Sequence, residues 1–458
     1  MRSSLRQTIN ATLAVAGAGL LVMQFNAAAQ IRLAKDPGPR GGAAGAGDPL
    51  PGLSSAENEY FYSARDEFSA DEGVDEGLGP RMNLDSCGGC HLQPAVGGSS
   101  PAVNPQASFI NKLGGTDSLP SFINANGPVR ETRFVRNADG TPDGGVHALF
   151  TITGRVGADG CSLKQPDYET QLARNNVVFR IPTPTYGAGL IESIPDSAII
   201  ANANKNASLK SGLGIRGRPN FTLAGLTISG QTNNNGNDGT IARFGWKAQN
   251  KSLLVFSGEA YNVEMGVTNE VFQTERDETG SCQFAPVPND TTNMAAATAF
   301  EGISDVEKFA IFMRLLGAPV ASTTSPGGAL SIGHGSSVFN NVGCALCHTP
   351  SMQTGNASIE ALRNKTVNLY SDLLTHDMGI GLADGVSQGE AGPREFRSAP
   401  LWGLGQRLFF LHDGRTADLL AAIRAHMSIG SEANGVILNF NHLSEPDKQD
   451  LLNFLRSL

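Results

Sequence analysis

Cys87-Gly88-Gly89-Cys90-His91 and Cys344-Ala345-Leu346-Cys347-His348 each place two thiols and an imidazole within about one helical turn. Covalent haem attachment needs that set, because two thiols add across the two vinyl groups and the next histidine reaches the iron. A closed zinc site wants four ligands and normally takes its histidines from several residues away. A redox dithiol needs no adjacent histidine. The motifs therefore predict two covalently bound haem c groups, attached through Cys87, Cys90, Cys344 and Cys347, with His91 and His348 as metal ligands. Each motif fills one face of its iron. A second strong ligand on the other face makes an electron-transfer haem, whereas an open face admits peroxide or oxygen. His147, His334, His376, His412, His426, His442 and the methionines are the candidates, and composition alone does not choose among them.

The elements around the motifs predict a mainly α protein with two cytochrome c-like haem domains. Residues 30–53 have the Pro-, Gly- and Ala-rich composition of a linker. An N-terminal haem domain is expected over 54–320, starting with a helix over residues 57–68. Within it, about 97–240 shows little helical periodicity, short β-like runs at 148–153 and 176–181, and a polar loop at 233–239. That stretch reads as a loop- and β-rich insertion. Ser304 and Glu307 form a capping box for a helix whose buried side carries Val306, Ala310 and Met313, with Gly317 as its stop. After a second linker, 329–458 predicts a C-terminal cytochrome c domain. It should have a short helix before Cys344 and a final helix capped by Ser444 and Asp447, with Leu451, Leu455 and Leu458 on one face.

Residues 1–29 have the pattern of a secretory signal: Arg2 and Arg6, an apolar run over 11–22, and Ala27-Ala28-Ala29 before the expected cut. The apolar run is short for a membrane span, so the mature chain is expected to be exported, periplasmic in a bacterium, without a stable span. The formal charge of −9 would become −11 on cleavage, since Arg2 and Arg6 leave and no acid does. This argues against nucleic acid as a partner and suits a basic electron-transfer protein or a small neutral substrate. Of the six cysteines, Cys161 and Cys282 remain outside the motifs, and export favours a disulfide between them over two buried thiols.

Several stretches resemble the bacterial dihaem cytochrome c peroxidase and MauG superfamily, most closely its dihaem oxidoreductase branch. They are Gly79-Pro80-Arg81-Met82-Asn83, Gly187-Ala188-Gly189-Leu190-Ile191-Glu192-Ser193-Ile194-Pro195-Asp196, Arg243-Phe244-Gly245-Trp246-Lys247-Ala248, Tyr370-Ser371-Asp372-Leu373-Leu374 with His376-Asp377-Met378-Gly379, Pro400-Leu401-Trp402-Gly403-Leu404-Gly405, and Phe410-Leu411-His412-Asp413-Gly414-Arg415. The resemblance implies that the residue fourteen places after His412, which is His426, is the distal ligand of the second haem, with Met427 beside it as the alternative. It also implies that Trp246 lies between the haems and helps electrons cross; the plain alternative is a core aromatic. Glu264-Met265-Gly266 is similar to the peroxidases' Glu-Met-Gly, which would make Glu264 the acid/base beside bound peroxide, against the alternative of a surface carboxylate. The glutamine of those peroxidases is replaced near Phe256. Many of them carry a distal histidine soon after the first motif, whereas residues 92–146 contain none. An open first haem is the expectation, with His147 or Met82 as a remote ligand otherwise.

By this resemblance, hydrogen peroxide or another small oxidant reacts at the N-terminal haem, and electrons pass through the C-terminal haem from a periplasmic donor or acceptor protein. A homodimer is implied by the same analogy. The competing functions are an electron-transfer cytochrome without peroxidase activity and oxygen-dependent oxidation of an organic substrate.

Overall fold

The computed structural model describes residues 32–115, 118–143, 152–222, 227–228, 231–232, 240–277 and 279–458. Helix α1 (Ser55–Phe68) starts at Ser54, whose hydroxyl accepts from the Glu57 amide while the Glu57 carboxylate accepts from the Ser54 amide at 2.7 Å. Helix α2 (Leu253–Met265) and helix α3 (Asp305–Leu315) complete the frame of the first core, and α3 carries the expected Ser304/Glu307 capping box. Phe68 meets Phe312 with ring centroids 4.8 Å apart, and Tyr261 meets Phe309 at 5.1 Å. Burying several such rings is the main stabilising term here, at roughly 1.5–3 kcal/mol each.

A second core forms where α4 (Gly328–Val342) crosses α5 (Glu445–Ser457), with Phe339 and Phe454 in edge contact at 5.5 Å. Leu451, Leu455 and Leu458 all lie in this core. The helix before Cys344 is longer than its sequence suggests, because Gly328, Gly333 and Gly335 lower its propensity. Gly335 is there for close approach: a Cβ would collide with the Asp450 carbonyl of α5.

Mainly α describes the molecule, since the strands form only small antiparallel pairs among the described residues. One pair matters for the site: β1 (Glu131–Phe134) runs against β2 (Val177–Arg180), with Glu131 opposite Arg180. The stretch taken as strands and loops also contains short helices, including Gln106–Lys112, Asp196–Asn204 and Ala207–Leu213. Helices this short print no periodicity, and tertiary contacts fix them instead. Asp196, for example, pairs with Arg243 and with Lys251. Most of the 148–153 run, and the whole 233–239 loop, lie outside the described residues.

Among its described residues the Pro- and Gly-rich segment has no helix, yet it is tied down at several points. The Ala34 amide donates to Glu445 at 2.7 Å, Asp36 pairs with the buried Arg456 at 2.7 Å, and Leu50 enters the first core. Cys161 and Cys282 form a disulfide. No helix among the described residues is long and apolar enough to cross a membrane.

Arg180, Lys247 and Asp384 form an ion triad in the dry interior, with Lys247 Nζ 3.1 Å from the carboxylate that Arg180 also engages. Lys247 Nζ further donates to the Gly392 and Glu395 carbonyls, both at 3.0 Å, and lies 4.1 Å from the centre of the Phe396 ring. The two cations hold the Asp384 carboxyl below its usual range despite its burial. Removing the carboxylate leaves two buried charges uncompensated, so Asp384→Ala is expected to cost about 3–5 kcal/mol of unfolding free energy. Denaturant titration of the purified protein checks this, and a loss under about 1 kcal/mol would contradict the triad's structural role.

Candidate active site

Cys87–Cys90 form a single helical turn, closed by the His91 amide on the Cys87 carbonyl at 2.9 Å. His91 Nδ1 lies 3.0 Å from the Gly98 carbonyl. A carbonyl can only accept, so Nδ1 carries the proton and Nε2 keeps its lone pair. Burial lowers the ring to about 4, which keeps it neutral, the form that binds a metal. These residues line a cavity of about 140 Å³ together with β1, Arg180, Trp246 and one face of α2.

Phe256, Ala260 and Glu264 recur every four residues of α2, so all three face this cavity. Glu264 sits in the last turn. Gly266 ends the helix with φ of +77°, and a Cβ there would stand 2.9 Å from the Gly79 Cα. Glycine is therefore required for the turn and for the approach of the chain at Gly79. Glu264 keeps free surface and lines the cavity with it. Its carboxyl is pushed up to about 8, first by burial and then by the negative charge of Glu131, which also hydrogen-bonds to it. Arg133 opposes the rise.

The second motif repeats the device. His348 Nδ1 lies 3.1 Å from the Tyr370 carbonyl, and burial lowers this ring also to about 4. The cavity here, about 210 Å³, is lined by Cys344, Cys347, His348, Phe339 and Phe410, and by His426. His426 caps the helix Leu419–Ala425, with its Nδ1 2.8 Å from the Ala422 carbonyl, so its Nε2 is also left with a lone pair. Met427 does not line the cavity and is 36% exposed.

The other histidines are placed differently. His376 lines the second cavity, but Glu432 at 2.9 Å and Asp372 at 3.1 Å engage both ring nitrogens. His412 stacks on Phe396 at 4.3 Å. His334 meets Asp450 on the surface, His442 caps the helix Asn434–Asn441 and lines neither cavity, and His147 lies outside the described residues. In the first cavity His91 is the lining histidine among the described residues, while Met82 and Met313 also line it.

Trp246 lines both cavities. Its Nε1 donates to the Ile181 carbonyl at 2.9 Å, and the Arg407 guanidinium lies 5.9 Å from the ring centre. Arg407 Nε and Nη2, at the second cavity, and Arg133 Nη1, at the first, are buried without a protein partner. A buried guanidinium left this way is costly and calls for an anion. The carboxylates of a haem are such anions, and with a neutral histidine and two thiols at each cavity the residues fit that group. Glu131, Arg133 and Arg407 were not singled out from sequence. For the first two, a faint signal exists in Glu131-Thr132-Arg133, where alternation puts two charges on one face of a strand.

Two cavities, each with a cysteine pair and a histidine, joined by one tryptophan, are the arrangement expected of a protein that holds two redox cofactors. The family described as "di-haem oxidoreductase, putative peroxidase" matches residues 130–458, and the chain belongs to it. That family is one of di-haem oxidoreductases, and haem is the cofactor it implies. The matched region contains Trp246, Glu264, His426 and the second motif, while the first motif lies upstream of it. No curated protein matches the chain. Among solved structures, hydrazine synthase from Kuenenia stuttgartiensis, pressurized with 20 bar xenon, is 17% identical over 35% of this chain and 58% of its own, with a TM-score of 0.22. The chain thus spans little more than half of that relative, and a likeness at that score carries no argument.

Proposed function

We propose that the protein is an exported, periplasmic dihaem c-type cytochrome that reduces hydrogen peroxide in the first cavity with electrons delivered through the second. Cys87 and Cys90 carry one haem covalently within a body over 54–320, and Cys344 and Cys347 carry the other within 329–458. His91 and His348 are the proximal ligands, and His426 is the second ligand of the C-terminal haem. When bound, haem supplies the redox chemistry and the binding of peroxide. Glu264 takes a proton from one peroxide oxygen and returns one to the other, so that the departing oxygen leaves as water. Trp246 carries electrons between the cavities, and a one-electron donor protein refills the second.

The observation that carries this reading is the presence of the Glu264 carboxyl, and of no second histidine among the described residues, in the cavity of the first motif. Met82 in the same cavity favours a second reading, an electron carrier with both haems six-coordinate. Electron paramagnetic resonance of the ferric protein separates the two: a high-spin signal supports the peroxidase, and two low-spin haems inert to peroxide support the carrier.

His426→Ala is expected to convert one low-spin haem to a high-spin or water-bound form with haem content unchanged, since His348 is untouched. Met427→Ala should leave the spectrum alone; the reverse pattern would move the ligand by one residue. Glu264→Gln keeps the size and removes proton exchange, so peroxide consumption should slow on the order of a hundredfold with ligation unchanged. A normal rate in Glu264→Gln would remove Glu264 from the reaction.

A further inference from the structure

A single carboxylate that moves a proton from one peroxide oxygen to the other must reorient between the two. The first cavity holds a second carboxyl that removes this need. Glu131 and Arg133 are two residues apart on β1, so both point from one face of the strand into the cavity that Glu264 enters from α2. Arg133 Nε donates to Glu131 Oε1 at 2.9 Å, and the Arg133 side chain is 4% exposed. Its Nη1 has no protein partner. Two carboxyls in hydrogen-bond contact cannot both ionise cheaply, so such a pair keeps one proton between them. The position of the peroxidases' glutamine is occupied near Phe256 by an apolar face. The polar group comes instead from a different segment, the strand pair before α2.

We infer that Glu131 is a second catalytic carboxyl of the first cavity, sharing one proton with Glu264 and held in place by Arg133. The inference rests on the reading that peroxide reacts in this cavity. In each turnover the ionised member of the pair takes the proton from one peroxide oxygen, and the protonated member gives its proton to the other. The O–O bond breaks, and the protonated oxygen leaves as water with the bonding electron pair. The proton count of the pair is unchanged, and its proton returns across the hydrogen bond between the two carboxyls. The remaining oxygen leaves as a second water, so that overall hydrogen peroxide, two protons and two electrons from the donor protein give two waters. Arg133 is a positioning residue: it keeps Glu131 aimed into the cavity.

The pH dependence follows from the charges around the pair. Glu259 on α2 and Glu131 raise the Glu264 carboxyl and Arg133 lowers it, while Arg180, opposite Glu131 on β2, and the neutral His91 complete the surroundings. With Glu264 held up to about 8, the shared proton is present at neutral pH and leaves above it. A lone base would grow more active through that range. A proton-sharing pair loses activity instead, because its acid member is gone.

The test uses the dihaem protein. The wild-type rate of peroxide consumption should fall on the alkaline side of about pH 8, in the range where the carboxyl loses its proton. Infrared spectra at pH 7 should show a protonated-carboxyl band sensitive to D2O. Glu264→Gln should abolish the band. Glu131→Gln should shift its frequency and its pH midpoint, slow peroxide consumption on the order of a hundredfold and remove the alkaline fall. Glu131→Asp keeps the charge beside Arg133 and shortens the reach, so it protects the fold and should still disturb the band. If both Glu131 variants keep two haems, the wild-type band and the wild-type pH profile, the pair is overturned while Glu264 can still stand. A normal peroxide rate in Glu264→Gln would overturn the pair through its other member, and two low-spin haems inert to peroxide would instead remove the reading on which the pair rests.

Discussion

The sharing of one buried carboxylate by two cations is the constraint on which the remaining geometry depends. Asp384 is satisfied only if Arg180 at the end of β2 and Lys247 beside Trp246 both reach it, which draws three distant parts of the chain to one point. An ion cluster of this kind is a poor source of net stability, but it tolerates few alternatives, because any other arrangement strands a charge in the interior. Trp246 inherits that intolerance. Its neighbour Lys247 is locked by the triad, the Gly245 carbonyl accepts from Arg397 Nε at 3.0 Å, and its own carbonyl accepts from the Arg397 amide at 2.9 Å. The indole between the cavities is thus held by its backbone on both sides as well as by its own hydrogen bond.

The cavities show how little regular structure a cofactor site needs. Each histidine is oriented by a backbone carbonyl from a loop that follows it, Gly98 in one case and Tyr370 in the other. A loop carbonyl fixes the tautomer as firmly as a carboxylate would, without adding charge to the metal's surroundings. The two cavities differ in what faces the histidine. The second presents another imidazole with a lone pair to spare, and the first presents carboxyls and an arginine. One arrangement suits holding an electron, and the other suits moving protons.

Much of this was legible in the sequence where the chemistry is local. The two five-residue motifs, the capping box at Ser304, the cap at Ser444 and the pairing of Cys161 with Cys282 depend on residue types at short spacing or on simple elimination. The resemblance placed Trp246, Glu264 and His426, and the structure puts each of them on a cavity wall. Glu131 and Arg133 were illegible for the opposite reason: their meaning comes from which helix the strand faces, and no spacing within β1 encodes that. The helix before Cys344 was underestimated because its glycines, unfavourable to a helix alone, are what let α5 come close. Residues 30–53 were taken for a linker on composition, whereas their contacts depend on partners such as Arg456 that lie about four hundred residues away.

Those contacts also have a consequence in time. Asp36 is synthesised long before Arg456, so the bond between them closes one of the longest loops the chain can make, with a sequence separation of 420. Such a closure costs entropy that only late, cooperative packing repays. The early strand of chain must therefore wait, unpaired, until α5 is in place against α4. Leu451 and Leu455 of the same helix line the second cavity, so that wall and the latch come into place together. On the proposed reading, in which Cys344 and Cys347 carry haem, this gives maturation a natural order, with attachment first and the latch last.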